Sequence, residues 1–159
     1  MNIFYLDTDP AEAARMQCDR HVVKMILETA QLLSTAHHEL DGASPAYKPT
    51  HKNHPSAVWV RSNIVHYHWA HRHLEELGYE YQRRYGKVHK TIREHLHTLG
   101  YPPANIPCNI NERTDPPQCM PDEYKRDDTT LAYQLYYNAK ADDWDSRGMP
   151  MTWYGSTAE

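Results

Sequence analysis

At 159 residues, of which 40% are hydrophobic, the chain is long enough to bury a hydrophobic core unaided. Its formal charge of −4 argues against a protein that coats nucleic acid over its whole surface, because phosphate binding is driven by Lys and Arg. The three cysteines lack the spacing of a disulfide framework, and no stretch approaches the ~18 apolar residues of a membrane span. The first residues also lack the basic segment of a signal peptide. We therefore expect a soluble, cytoplasmic protein without a membrane partner.

The sequence of the first half of the chain predicts a short strand or extended arm followed by two long helices. Residues 2–6 form the arm, and Asp9-Pro10 is a typical helix start, with a capping side chain before a first-turn proline. This helix is expected to run to about His38 and to end near Gly42. A polar loop over residues 43–55 separates it from the second helix, predicted over residues 55–85 with a glycine at 86 as its stop.

The second half predicts shorter elements. A third helix is expected over residues 91–99, and a last one from Thr129 to about Ala141, capped by the aspartates before it. Six prolines make residues 101–121 an irregular segment. Strand signals are nearly absent. We predict an all-α fold that forms one domain over residues 1–159, at least about half helical, with its two long helices packed on each other.

The first long helix carries a narrow polar stripe on an otherwise apolar surface. At ~100° per residue its apolar side chains cover most of the circumference, so the helix should be largely buried; they are Val22, Val23, Met25, Ile26, Leu27, Ala30, Leu32 and Leu33. The remaining arc holds His21, Lys24, Glu28, Gln31 and Thr35. An amine, a carboxylate and an imidazole along one line indicate part of a catalytic site. The alternative is an exposed edge with an ordinary Lys24–Glu28 pair.

The second long helix has polar residues beside its aromatic core face. These residues are well placed to line a groove between elements, although amphipathic side chains also lie at such borders for packing reasons; they are Ser62, His66, His73, Glu80 and Arg84.

Two polar loops flank the second long helix and could hold phosphates through basic side chains and backbone donors. The first contains His51, Lys52, Asn53 and His54; the second contains Lys87, His89 and Lys90. A helix cap with added charge is the simpler interpretation of each. The pairs Cys18/His21 and His51/His54 also offer ligand types suited to zinc, but both half-motifs are short in a chain with 12 histidines. We therefore predict no bound metal and no cofactor.

The order of motifs resembles the pyrimidine-dimer DNA glycosylases of the phage endonuclease V type. An extended N-terminus leads into a long helix with an internal carboxylate, Glu28, and the run Asn53-His54-Pro55 opens a second helix rich in aromatic residues. A C-terminal Trp153-Tyr154 stands where that family keeps an aromatic DNA-contacting tail. Segments 18–24 and 85–90 also resemble phage proteins without an assigned function.

The resemblance implies a small all-α repair enzyme that cuts the glycosidic bond and then nicks the backbone. The nucleophile of the family is an N-terminal amine exposed when Met1 is removed in front of a small residue. Asn2 is too bulky for efficient removal, so Met1 is expected to stay and its own amine to attack. Lys24, one turn from Glu28, is the internal alternative.

The main functional hypothesis is a DNA glycosylase with AP-lyase activity. Glu28 would stabilise the developing sugar cation, with Lys24, Met1 and His21 as the other catalytic candidates. DNA would be the partner; the residues expected to contact it are Arg20, His51, Lys52, Asn53, His54, His66, His73, Arg84, Lys87, His89, Lys90, Trp153 and Tyr154. DNA binding should strengthen from pH 8 to 6 as histidines gain charge, with His54, His66, His73 and His89 as main contributors. Two alternatives stay open: a metal-dependent phosphoester hydrolase that uses His21, His51, His54 and perhaps His73 with Glu28 as base, and a non-catalytic phage accessory protein. The sequence does not give the oligomeric state.

Overall fold

The computed structural model describes residues 1–149 and 151, and within them it is all-helical, as predicted. Helices hold 62% of the residues. The elements are α1 Pro10–Arg15, α2 Asp19–Asp41, α3 Pro55–Ser62, α4 Ile64–Tyr85, α5 Lys90–Leu99 and α6 Thr129–Ser146, with single 3₁₀ turns at Ile110–Glu112 and Asp122–Tyr124. In the described part of the chain, no helix is long and apolar enough to cross a membrane.

The two long helices pack directly on each other, which confirms the predicted centre of the fold. Helix α4 contacts α1, α2, α3 and α5, so it forms the middle of the bundle. Both glycine stops are also confirmed: Gly42 and Gly86 adopt left-handed φ values of 78° and 71°, and each donates its backbone N–H to a carbonyl one turn back.

The first predicted helix is broken, because residues 16–18 leave helical geometry between α1 and α2. The backbone N–H of Cys18 donates to the hydroxyl of Tyr137 at 2.8 Å, and Arg84 donates to the carbonyls of Arg15 and Gln17 at 3.0 and 2.8 Å. Side chains from α4 and α6 thus satisfy backbone groups that a continuous helix would have satisfied itself. The prediction of one helix from Pro10 was wrong at this point.

The second predicted helix is also broken, at Asn63. Its backbone is extended, with φ −159° and ψ 139°, and its side-chain oxygen accepts from the N–H of Val65 as the cap of α4. The N–H of Ile64 donates to the carbonyl of Pro107 at 2.7 Å, so the irregular segment replaces the missing helical bond. The prediction of one continuous helix over residues 55–85 was wrong at this point.

The predicted strand or extended arm of residues 2–6 is an arm without regular secondary structure, which is threaded through the core and turns at Phe4, whose φ is 53°. Ile3, Phe4, Tyr5 and Leu6 are all buried. Gln134 of α6 donates to the carbonyl of Leu6 at 3.0 Å, which ties the arm to the last helix. Because four consecutive residues are fixed in this way, the position of the N-terminus is set by the core.

Candidate active site

A groove of about 580 Å³ lies between α2 and α5, closed on one side by the loop that contains Tyr47. Its walls mix apolar and polar side chains: Val23, Lys24, Leu27, Glu28, Gln31, Tyr47, His89, Lys90, Thr91 and Glu94. Val23 and Leu27, which the sequence placed in a buried arc, are 38% and 39% exposed and form the apolar wall. Tyr47 and Thr91 share a hydrogen bond of 2.9 Å across the groove and hold its two sides together.

The polar stripe of α2 supplies the chemically reactive part of this groove. Lys24, Glu28 and Gln31 line it, whereas Thr35 and His21 at the two ends of the stripe are buried. Lys24 is 66% exposed and its Nζ lies 3.7 Å from Oε1 of Glu28. The predicted i, i+4 pair therefore exists, but it sits on the wall of a groove and not on an open helix face.

The N-terminal amine lies at the same carboxylate. The nitrogen of Met1 is 4.0 Å from Oε2 of Glu28, on the oxygen that does not face Lys24. The side chain of Met1 is only 3% exposed and that of Glu28 is 18% exposed. The fold thus brings the N-terminal amine to a half-buried carboxylate that lines the groove.

His54 lies close to this pair. Burial lowers the pKa of His54, the nearby N-terminal ammonium and His51 lower it further, and Glu28 raises it. Its Nδ1 accepts the backbone N–H of Ser56 at 3.1 Å, which makes His54 the cap of α3. This bond leaves the proton of the neutral ring on Nε2. Both sequence interpretations of His54, helix cap and site neighbour, therefore fit the structure.

Three of the predicted site histidines, His21, His66 and His73, are buried and hydrogen-bonded within the protein, so they are poorly placed to contact DNA or to act in catalysis. His66 places Nδ1 at 2.9 Å from the Trp59 carbonyl and accepts the N–H of Thr114 on Nε2. His73 bonds to the carbonyl of Pro10 and the amide of Gln17. His21 stacks on Phe4 and bonds to Tyr137. Burial lowers the pKa of His21 and of His73 to about 4.

The two arginines predicted to hold phosphates are engaged within the protein. The guanidinium of Arg84 is 11% exposed; it pairs with Glu80 and Asp19 and caps the carbonyls at the end of α1. Arg20 lies 5.1 Å over the ring of Trp144 and is exposed. Arg84 is therefore a structural residue, because its interactions hold the α1–α2 break against α4.

The other described residues that were predicted to contact DNA lie on the surface or in the walls of the groove. His89 and Lys90 line it directly, and Lys87 is exposed just before them. His51, Lys52 and Asn53 are exposed in the loop before α3, where the first two border a smaller cavity of about 250 Å³. Trp153 and Tyr154 lie outside the described residues.

Burial lowers the pKa of all four histidines that were expected to drive the pH dependence of DNA binding, namely His54, His66, His73 and His89. Each of these rings therefore gains less charge between pH 8 and 6 than an ordinary histidine would. Within residues 1–149 and 151, no three His, Cys, Asp or Glu side chains are grouped to hold a metal ion. The ligand set of the proposed hydrolase is therefore not assembled there.

Several residues at the site were not predicted from the sequence: Tyr47, Thr91 and Glu94 line the groove, and Asn2 is bonded beside the N-terminal amine. Asn2 donates from Nδ2 to the carbonyl of Cys119 at 2.9 Å, a contact between residues 117 positions apart. No local sequence pattern predicts the bond between Asn2 and Cys119, because it joins the N-terminus to an irregular loop far along the chain.

One comparison with known proteins identifies a family. The sequence profile of the pyrimidine dimer DNA glycosylase family matches residues 1–94, which is more than half of the chain. The matched segment includes Met1, Lys24, Glu28, His54 and every residue that lines the groove. The chain therefore belongs to the pyrimidine dimer DNA glycosylase family. No curated protein and no solved structure matches it.

Proposed function

We propose that this protein is a DNA glycosylase with AP-lyase activity whose nucleophile is the α-amine of Met1. The observation that carries the proposal is the distance of 4.0 Å between this amine and the carboxylate of Glu28, which lines the groove. An α-amine keeps a usable neutral fraction near pH 7, which a solvated lysine side chain does not. Lys24 is 66% exposed and is the less suitable of the two amines.

In the proposed reaction the lone pair of the Met1 nitrogen forms a bond to C1′ of the damaged nucleotide. The glycosidic bond breaks and its electrons leave with the base, which takes up a proton. The ring oxygen then leaves C1′ and takes up the proton that the attacking amine releases, so that a C4′ hydroxyl and a protonated imine form. Loss of a proton from C2′ expels the 3′-phosphate, and hydrolysis of the imine releases the amine.

Glu28 would act on the positive charge that develops at C1′ and in the imine. Its carboxylate is half-buried, so its field is less screened than that of a surface acid. The same group can take the proton from C2′, because it lies 4.0 Å from the amine that becomes bonded to the neighbouring C1′. Lys90 and the surface residues His51, Lys52 and Lys87 would contact the DNA backbone.

We also infer that the described residues act as one domain. The segment beyond the family match contributes to the site through the Asn2–Cys119 bond, and α6 holds the arm through Gln134.

Trapping of the imine with borohydride tests the proposal. We expect a covalent adduct with a duplex that contains an ultraviolet-induced pyrimidine dimer and with an abasic duplex, and none with undamaged DNA. Peptide mapping should place the adduct on Met1. A Gly-Ser extension before Met1, which turns the amine into an amide, should abolish trapping, whereas Lys24→Arg should preserve it.

Each negative outcome has a separate meaning. Absence of an adduct on both duplexes would contradict the glycosylase–lyase proposal and favour a non-catalytic role for the groove. An adduct that maps to Lys24 would keep the reaction but transfer the nucleophile to that residue.

A further inference from the structure

The side chain of Asn2 makes hydrogen bonds at the start of the N-terminal arm, both within the arm and to a distant segment. Its Oδ1 accepts the backbone N–H of Ile3 at 2.8 Å and lies 3.4 Å from that of Phe4. Its Nδ2 donates to the carbonyl of Cys119 at 2.9 Å. Phe4 has a positive φ of 53°, so the chain turns sharply just after these bonds. Asn2 thus uses its acceptor to shape the arm and its donor to fasten it.

The group to which Asn2 is fastened is itself held in place. The N–H of Cys119 lies 3.3 Å from the hydroxyl of Tyr133, which donates to the carbonyl of Pro117 at 2.7 Å. Earlier in the same segment, Thr114 accepts from the indole of Trp59 and donates to His66. His66, which the sequence predicted to contact DNA, therefore stabilises the segment that anchors the N-terminus.

We propose that Asn2 is a positioning residue, which sets the direction of the Met1 amine toward Glu28. This inference rests on the proposed function. The amine nitrogen begins an arm that has no helical hydrogen bonds. One residue further along, the bond from Nδ2 of Asn2 to the carbonyl of Cys119 joins this arm to a distant segment. A displacement of about 1 Å at a reacting group can cost on the order of a hundredfold in rate.

The chemistry of the contact requires an amide. Aspartate at position 2 would keep the acceptor for Ile3 but would face the Cys119 carbonyl with an oxygen, and leucine would keep the volume but offer neither donor nor acceptor. The burial of the Met1 side chain is the competing anchor. If that burial alone fixes the amine, replacement of Asn2 should have no effect on the chemistry.

The test uses Asn2→Leu and Asn2→Asp, with Asn138→Asp as a matched control. Asn138 is exposed on α6, so it reports the effect of the same substitution away from the arm. Leu and Asp are large enough to keep Met1 in place, whereas Ala would invite its removal; intact mass confirms the terminus in each variant. Melting temperature verifies that each variant folds.

Single-turnover imine formation on an abasic duplex and affinity for the same duplex are then measured at pH 7 and pH 9. We expect both Asn2 variants to lose about tenfold or more in rate, with affinity within about twofold of wild type. The loss in Asn2→Leu should be equal at both pH values, because it reflects position. A loss confined to Asn2→Asp at pH 7 would instead come from its added charge and would contradict the proposal.

A second measurement separates this proposal from the proposed function. The α-amine is labelled by reductive methylation with ¹³C-formaldehyde, and its NMR signal is recorded with and without the change Glu28→Gln. When Asn2 is present, the chemical shift of the labelled amine should change on the substitution Glu28→Gln, which removes the carboxylate. In the Asn2→Leu variant the same substitution should change the chemical shift much less.

This measurement needs no activity. An equal movement in both backgrounds would overturn the role of Asn2, even in a protein that proves inactive. Failure of wild-type trapping with unequal movement would reject the glycosylase–lyase reaction but keep Asn2 as the residue that positions the amine.

Discussion

The substitution Glu28→Gln separates a catalytic carboxylate from a structural ion pair. Gln keeps the volume and most hydrogen bonds of Glu28, and its partner Lys24 is 66% exposed, so the lost pair should cost about 0.5 kcal/mol of stability. Loss of the charge that stabilises a cationic transition state should cost on the order of a hundredfold or more in rate, which corresponds to about 2.7 kcal/mol. The expected effect on the barrier is thus several times the effect on stability.

The assay is single-turnover cleavage of ultraviolet-irradiated and abasic duplexes, with the free energy of unfolding measured in parallel. Glu94→Gln is the matched control, because Glu94 lines the same groove and pairs with Arg93 and His95 instead of the N-terminus. Normal turnover by Glu28→Gln would refute the catalytic role and leave Glu28 as a partner of Lys24. Equal losses in both variants would show that the total charge of the groove matters, and not the position of Glu28.

Two further predictions concern stability. Arg84→Met should lower the free energy of unfolding by about 3–5 kcal/mol, because Arg84 is the more buried of the two arginines that pair with the buried Glu80 and also donates to the carbonyls of Arg15 and Gln17. Arg83 pairs with Glu80 at 2.7 Å but is 64% exposed, so Arg83→Met should cost no more than about 1 kcal/mol in the same denaturant titration, and equal costs would refute the assignment. His73 and His21 have a pKa of about 4 in the folded protein, which is below the ordinary value of a histidine. Between roughly pH 6.5 and 4 the unfolded chain therefore binds more protons at these two residues than the folded chain does. Stability should therefore fall as the pH is lowered through this window, and His73→Gln should flatten that dependence, whereas a change at the exposed His68 should not.

The sequence was sufficient wherever structure depends on local chemistry. The helix starts at Asp9-Pro10 and Asp128 and the stops at Gly42 and Gly86 were all readable, because capping and left-handed geometry involve only neighbouring residues. The all-α class followed from helical periodicity, and the Lys24–Glu28 pair from its spacing.

The tertiary structure decided which polar groups are used inside the protein and which face the groove. His66 and Glu28 both interrupt apolar surfaces in the sequence, yet only the partner supplied by the segment at Thr114 makes His66 structural. The helix breaks at Cys18 and Asn63 likewise depend on Tyr137 and Pro107, far along the chain.

The encounter of Met1 with Glu28 is also a tertiary result. A sequence shows that a terminus and a carboxylate exist, but their distance of 4.0 Å arises from an arm buried through four residues and fastened to Cys119. Such contacts join segments whose separation no periodic pattern encodes. Local chemistry therefore determined the helices, and packing between distant segments determined the site.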